Sequence, residues 1–327
     1  MTCVAVYRRG NDPGYAEHPH PSAPGCSVAF GAAAREWLRY IEVDRKRRAS
    51  TVREYRQVVH GHLIPEFGED TPLSELTPAR IEEYRERLVA EGRLSPRTIN
   101  RNLTRLNGIF RRAIRAHGLR ANPAAHVDRQ PIRASGDFRV LAPAELERLL
   151  EAAVSEQDRA LFAVAGYAGL RMGEVRALTW GDIDFERRVL HVRRSYVLGR
   201  VELPKSGRVR GVPLIPQAAA PLAALRQRAV LAGPGDRVFV RGDGGFIDDS
   251  AVRRRFHQAV EAAGLPQLRF HDLRHSFGTM AVQAFPLSDV AAYMGHAEIS
   301  TTMIYVHHVP KADAALRLER VVTGRAG

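Results

Sequence analysis

The chain has 327 residues and a net charge of +13, which is length enough for about two domains that each bury a core. Its basic residues are almost all arginine, a choice that suits bidentate phosphate contacts and points to a polyanionic partner. Cys3 and Cys26 are the only cysteines, which excludes a disulfide framework or a cysteine-based metal site, and no apolar run is long enough for a signal peptide or a membrane span. A soluble, cytoplasmic protein is expected.

Residues 1–27 are rich in Pro, Gly and His without periodicity and read as a disordered tail. Apolar Phe30, Ala34, Trp37, Leu38 and Ile41 then predict a first helix over 30–43. Thr51 with Glu54 has the form of a capping box opening a second helix towards Leu63. Thr77-Pro78 and Ser95-Pro96 start a third and a fourth, each with proline in the first turn. In the fourth helix, from Arg97 to about His117, Ile99, Leu103, Leu106, Phe110 and Ala113 share one face. Arg97, Arg101, Arg105, Arg111, Arg112 and Arg115 take the opposite face with no acidic residue among them. Like charges stacked in this way repel, so an anion is expected there, and a DNA backbone fits. Gly108 costs this helix ~1 kcal/mol against Ala and reads as room for a close approach.

Residues 121–137 carry two prolines and little periodicity and read as a linker. Beyond Phe138, Pro143 opens a helix, Ala160–Leu170 reads as a buried helix, and RMGEVRALTW opens another. Alternation over 188–214 predicts short strands with turns at Gly199 and Ser206-Gly207, and helices return from Pro216, interrupted at Val238–Val240. The expected fold is mostly α with one small antiparallel sheet. It divides into a tail (1–27), a helical DNA-binding domain (28–120), a linker (121–137) and an α+β domain (138–327). Neither a P-loop nor the strand–helix alternation of a Rossmann sheet is visible.

The most informative stretch is HDLRHSFGTMAVQAFPLSDVAAYMGHAEISTTMIYVHH, from His271 to His308. His271 and Arg274 share a helical face. Gly295-His296 follows, and Tyr305 falls about one turn into a short helix expected to be capped by Ser300 or Thr301. A donor pair, a further donor and a phenol suit chemistry on a phosphodiester. His271 and His275 also have the spacing of the zinc-protease helix HExxH. Asp272 replaces its glutamate, however, and His307-His308 make a poor third ligand, so no metal is expected.

HDLRHS, MGHAEISTTMIY and the earlier GLRMGE resemble the tyrosine recombinase (phage integrase) family. The resemblance implies a SAM-like helical core-binding domain, with DNA contacts from Arg97, Arg101, Arg105, Arg112 and Arg115, followed by a catalytic domain. Carried onto the matching motifs, it makes Tyr305 the nucleophile, Arg171 and Arg274 the catalytic arginines and His271 the general acid/base. His296 becomes a phosphate donor and Glu174 an orienting residue. Lys205, in the hairpin RVELPKSGRVRGVPL, becomes the acid that protonates the leaving 5′-oxygen, a task an arginine cannot perform. Val209 departs from the family's frequent serine. The implied reaction is transesterification through a 3′-phosphotyrosyl intermediate, without cofactor, metal or ATP. It would be carried out by a homotetramer on two double-stranded DNA sites, with a C-terminal helix over Val309–Val322 exchanged between protomers. The short N-terminal tail leaves no room for an arm-binding domain. Within the family, a phage or mobile-element integrase and a Xer-like dimer resolvase both fit. A type IB topoisomerase and a non-catalytic DNA-binding regulator are the rivals.

Overall fold

The computed structural model of the protein describes residues 28–132 and 138–306, together with Glu319. The expected tail, the last linker residues (133–137) and the helix expected over Val309–Val322 lie outside the described residues, save Glu319 in that helix. The chain divides into two compact units, residues 1–133 and 134–327.

In the first unit, α1 (Phe30–Arg39) runs on through a π-helical turn, Tyr40–Asp44. The second helical run is α2 (Ala49–Val58), a π-helical turn and α3 (Ile64–Phe67). It starts two residues ahead of the expected cap. Thr51 already donates its N–H to Arg48 O inside the first turn, and Glu54 is directed instead to the arginines of a later helix. Thr77 and Ser95 do cap α4 (Pro78–Glu91) and α5 (Pro96–His117), each accepting a backbone N–H three residues on. Phe30, Trp37, Phe67, Tyr84, Leu106 and Phe110 fill the core between these helices. A Cβ at Gly108 would stand 3.0 Å from the Trp37 indole, so the close approach is that of α1 to α5. The first part of the expected linker belongs to this unit. Ala124 is buried, and Asn100 on α5 bonds to Gln130 through both side-chain atoms.

In the second unit, α6 (Pro143–Glu151) precedes α7 (Glu156–Tyr167), whose residues from Ala160 onward are buried on every side. After α8 (Met172–Arg176) come five short strands, β1 (Ile183–Asp184), β2 (Val189–Val192), β3 (Ser195–Val197), β4 (Arg200–Glu202) and β5 (Arg210–Pro213). They form two antiparallel sheets rather than the one expected, β1-β2-β5 and the hairpin β3-β4, which turns at Gly199 as predicted. The segment around Lys205 is therefore a loop between the two sheets, since β4 pairs with β3 and β5 pairs with β2. Val240 forms only an isolated bridge, to Phe246. Helices α9 (Pro216–Arg228), α10 (Asp249–Ala262), α11 (Phe270–Ala284), α12 (Leu287–Met294) and α13 (Ser300–Val306) complete the unit. No helix among the described residues is long and apolar enough to cross a membrane.

Candidate active site

Helices α8, α11, α12 and α13 and the β4–β5 loop converge on one open groove. Arg171, Lys205, His271, Arg274, His296 and Tyr305 all line it. The groove brings together residues more than 130 positions apart in the chain.

The end of α12 organises the arginines. Three successive carbonyls there, Tyr293 O, Met294 O and Gly295 O, accept from Arg210 Nε (2.6 Å), Arg274 Nη2 and Arg171 Nη2 (3.3 Å) respectively. A helix C-terminus presents unpaired carbonyls and partial negative charge, so three guanidiniums can gather without prohibitive repulsion. Gly295 ends α12 in the left-handed conformation (φ 62°), and a Cβ there would stand 3.1 Å from the Arg210 guanidinium. Glycine is therefore required twice over.

Glu174 is the counter-charge. Its carboxylate accepts from Arg171 N (2.9 Å), from Arg171 Nη1 (3.0 Å) and from both terminal nitrogens of Arg210. Burial acts to raise its pKa, but the hydrogen bonds and charges of Arg210 and Arg171 outweigh this and hold it below the usual carboxylate range. Arg210 was not singled out in the sequence. The alternation Arg210, Val212, Leu214 is its one signal, because residues two apart on a strand share a face and Val212 and Leu214 are buried.

Arg274 is only 2 % exposed and also donates to Gly169 O. Its Nη2 lies 3.1 Å from His296 Nε2, and His296 Nδ1 lies 2.8 Å from Thr302 Oγ1. A guanidinium can only donate, so Nε2 must accept and the neutral ring carries its proton on Nδ1, donated to Thr302. Burial first, then the charges of Arg274, Arg171 and Arg210, pull His296 down to about 3. Ser300 is the first residue of α13 rather than its cap. His271 sits exposed on the wall of the groove, so solvent moderates the downward pull of partial burial and of Arg274 and Arg171. Lys205 is exposed, at the turn closed by Gly207 N–H to Pro204 O.

Tyr305 is 1 % exposed. Its ring lies flat on Gly278, where a Cβ would stand 2.7 Å from it, and edge-on to Phe138. Its hydroxyl is 3.1 Å from Nδ1 of His275, a residue the sequence offered only as an alternative metal ligand. Among the described residues, no three His, Cys, Asp or Glu side chains are placed to hold a metal ion.

The phage integrase family model matches residues 139–311, more than half of the chain, and the model of its N-terminal SAM-like domain matches residues 34–117. The chain belongs to the tyrosine recombinase (phage integrase) family. Tyrosine recombinase XerC of Xanthomonas campestris is 30 % identical over 310 residues, covering 90 % of this chain and 91 % of that protein. A putative prophage phiRv2 integrase of Mycobacterium tuberculosis is 28 % identical over 309 residues, covering 92 % and 79 %. In fold, this recombinase is similar to the Tn1549 transposon integrase solved with a circular intermediate DNA. That match has a TM-score of 0.71 at 21 % identity and covers 88 % of this chain and 99 % of the other. It is also similar to a lambda integrase tetramer bound to a Holliday junction (TM-score 0.69, 19 % identity, 85 % and 77 % covered). The expected fold class, mostly helical with a SAM-like first domain and a recombinase catalytic domain, is the one observed.

Three of the arginines of α5 are paired within the first unit. Arg101 and Arg105 pair with Glu54 (3.4 and 3.0 Å), and Arg105 lies over the Tyr55 ring. Arg112 pairs with Glu36 (3.0 Å) and lies over Tyr40. The acidic partners missing from α5 itself come from α1 and α2. Arg97, Arg111 and Arg115 are exposed.

Proposed function

We propose that this recombinase cleaves and rejoins double-stranded DNA at specific sites by transesterification, with the Tyr305 hydroxyl attacking phosphorus to leave a 3′-phosphotyrosyl bond and a free 5′-hydroxyl. The observation that carries the reading is the shared groove, in which a phenol and two tethered guanidiniums meet on one surface. In-line attack builds charge on the non-bridging oxygens, and Arg171 and Arg274, already held by carbonyls and Glu174, would meet it with little reorganisation. His271, on the groove wall, completes the contacts to the phosphate, and His296, with Nε2 accepting from Arg274 and its Nδ1 proton given to Thr302, holds that guanidinium in place rather than donating to the phosphate. Lys205, one of three lysines in the chain, protonates the leaving oxygen. The ester keeps the energy of the broken bond, so no nucleotide is consumed, and fixed guanidiniums supply the positive charge.

Rejoining to a partner strand needs two sites and several protomers, and a homotetramer on two duplexes is the assembly proposed. A tetramer on a Holliday junction, the lambda integrase neighbour, is a precedent of the same fold. XerC and prophage integrase relatives match at similar identity, so dimer resolution and element integration both remain within the reading.

The test is covalent capture. Nicked duplexes with a randomised central stretch are incubated with protein, and adducts that survive detergent are isolated and their DNA sequenced. A DNA-shifted band is expected from the unsubstituted protein and none from Tyr305→Phe, with duplex binding kept. An adduct formed by the Phe variant overturns the assignment.

A further inference from the structure

The motif match gives the acid/base role to His271, but the geometry at the nucleophile favours a different histidine. His275 lies one helical turn further along α11, and its Nδ1 is within hydrogen-bond distance of Tyr305 Oη, at 3.1 Å. His271 forms no hydrogen bond to that hydroxyl; its ring stands edge-on to His275, with centroids 4.9 Å apart. Phe138 stacks on the other imidazole at 4.2 Å and also meets the Tyr305 ring, which fixes the orientation of both. A general base must first be in reach of the proton it takes, and only then suitably poised.

Resting on the recombinase reading above, we propose that His275 is a catalytic residue that takes the phenolic proton of Tyr305 in strand cleavage and returns it in rejoining. In cleavage the O–H bond breaks as the proton moves to Nδ1, the phenolic oxygen bonds to phosphorus, and the bond from phosphorus to the 5′-oxygen breaks. The leaving oxygen takes a proton from Lys205. In rejoining, the incoming 5′-hydroxyl gives its proton to the now neutral Lys205 as its oxygen bonds to phosphorus, the bond from phosphorus to the tyrosine oxygen breaks, and Nδ1 returns its proton to that oxygen. The environment agrees with this direction of transfer. Burial first, then the proximity of His271, brings His275 down to about 4, with Arg269 and Arg274 acting the same way and Asp272 opposing, so the ring is neutral and able to accept. Burial pushes the Tyr305 phenol up, against the charges of Arg274 and Arg171, so it does not ionise unaided.

The experiment uses the full chain and the duplexes recovered from wild-type adducts. His275→Asn keeps a polar acceptor near the position of Nδ1 but cannot hold the proton. Its rate of adduct formation is expected to fall by about 10²-fold or more, within the usual range for a lost general base, with duplex binding unchanged. Incorporating 3,5-difluorotyrosine at position 305 lowers the pKa of the nucleophile, and in that background the penalty for His275→Asn is expected to shrink below about tenfold. His275→Asn cleaving at the wild-type rate overturns the proposal. So does a penalty that stays whole with the fluorinated nucleophile, because it would show that His275 only shapes the site. Either result leaves the recombinase reading standing. Absence of any wild-type adduct, or an adduct with Tyr305→Phe, brings down both.

Discussion

Arg210 on β5 and Glu174 on α8 form a two-point ion pair, Nη2 to Oε2 at 2.7 Å and Nη1 to Oε1 at 3.0 Å, with both side chains almost wholly withdrawn from solvent. The same carboxylate holds Arg171, and the same guanidinium holds the end of α12 through Tyr293 O. One buried pair thus ties the sheet to two elements of the groove without itself reaching the groove's lining.

Arg210→Ala is expected to destabilise the second unit by about 3–5 kcal/mol, because it leaves the Glu174 carboxylate buried beside a single remaining guanidinium. Urea unfolding measures this. Arg210→Lys is expected to recover part of the stability but not the two-point geometry, and so to leave adduct formation slower than wild type. A lysine variant that cleaves at the wild-type rate would show that Arg171 needs no help from this pair.

The arginines of α5 divide into two groups with different expected effects. Reversing charge at Arg111 and Arg115, both exposed, is expected to weaken binding to every duplex by about tenfold or more and to flatten its salt dependence. Arg105→Ala is expected instead to cost about 1–2 kcal/mol of first-unit stability, through loss of Glu54 and the stack on Tyr55. Gel shifts at several salt concentrations, beside thermal melts, separate the two. An unchanged salt slope in the Arg111/Arg115 variant would place the DNA on another face.

The division was not visible in the sequence for a physical reason. A helical stripe records which residues share a face, and α5 does have its arginines on one side. What lies opposite that face is decided by tertiary packing, which brings in Glu36 and Glu54 from α1 and α2. The strands behave alike. Alternation marks residues 188–214 as extended, but it carries no information on partners, so the sequence suggests a β4–β5 hairpin where the structure pairs β4 with β3 and β5 with β2. Ser95-Pro96 and Thr77-Pro78, by contrast, act within four residues and are legible as helix starts. Residues in local motifs, Arg171, His271, Arg274, His296 and Tyr305, were legible as candidates. His275 and Arg210 gain their importance only from neighbours 30 and 36 positions away.

Lys205 and Arg171 act on different parts of the proposed transition state, and a modified substrate tells them apart. Lys205→Arg keeps the charge but cannot release a proton, and it is expected to slow cleavage by about 10²-fold or more. A duplex with sulfur in place of the leaving 5′-oxygen needs no such proton, and on it the Lys205→Arg variant is expected to match wild type. Arg171→Ala is expected to lose about 10²–10³-fold on both substrates, because the charge it meets is on the non-bridging oxygens. Equal losses for Lys205→Arg on the two substrates would remove it from the acid's role.

The half-buried histidines His275 and His296 make a prediction for stability against pH. His275 and His296 are drawn down to about 4 and about 3 in the folded chain, while an unfolded histidine titrates near 6.5. Above about pH 6.5 both states are neutral at these rings, and their contribution is unaffected by pH. As pH falls below 6.5 the unfolded chain takes up protons that the folded one refuses, so stability declines towards the folded values. Glu174 works in a separate window. Its pKa is lowered on folding, so its contribution is lost only at more acid pH, below the range of an ordinary carboxylate. The interval from about pH 6.5 to pH 5 therefore isolates the imidazoles. Both rings are partly exposed, which softens the effect, and a loss of a few degrees in Tm is expected across that interval, at about 2–4 °C for each kcal/mol. Replacing both with Asn is expected to flatten the slope, whatever it does to Tm at neutral pH. Thermal melts of the two proteins at several pH values decide it, and an equally steep acid decline in the double variant would assign the titration to other groups.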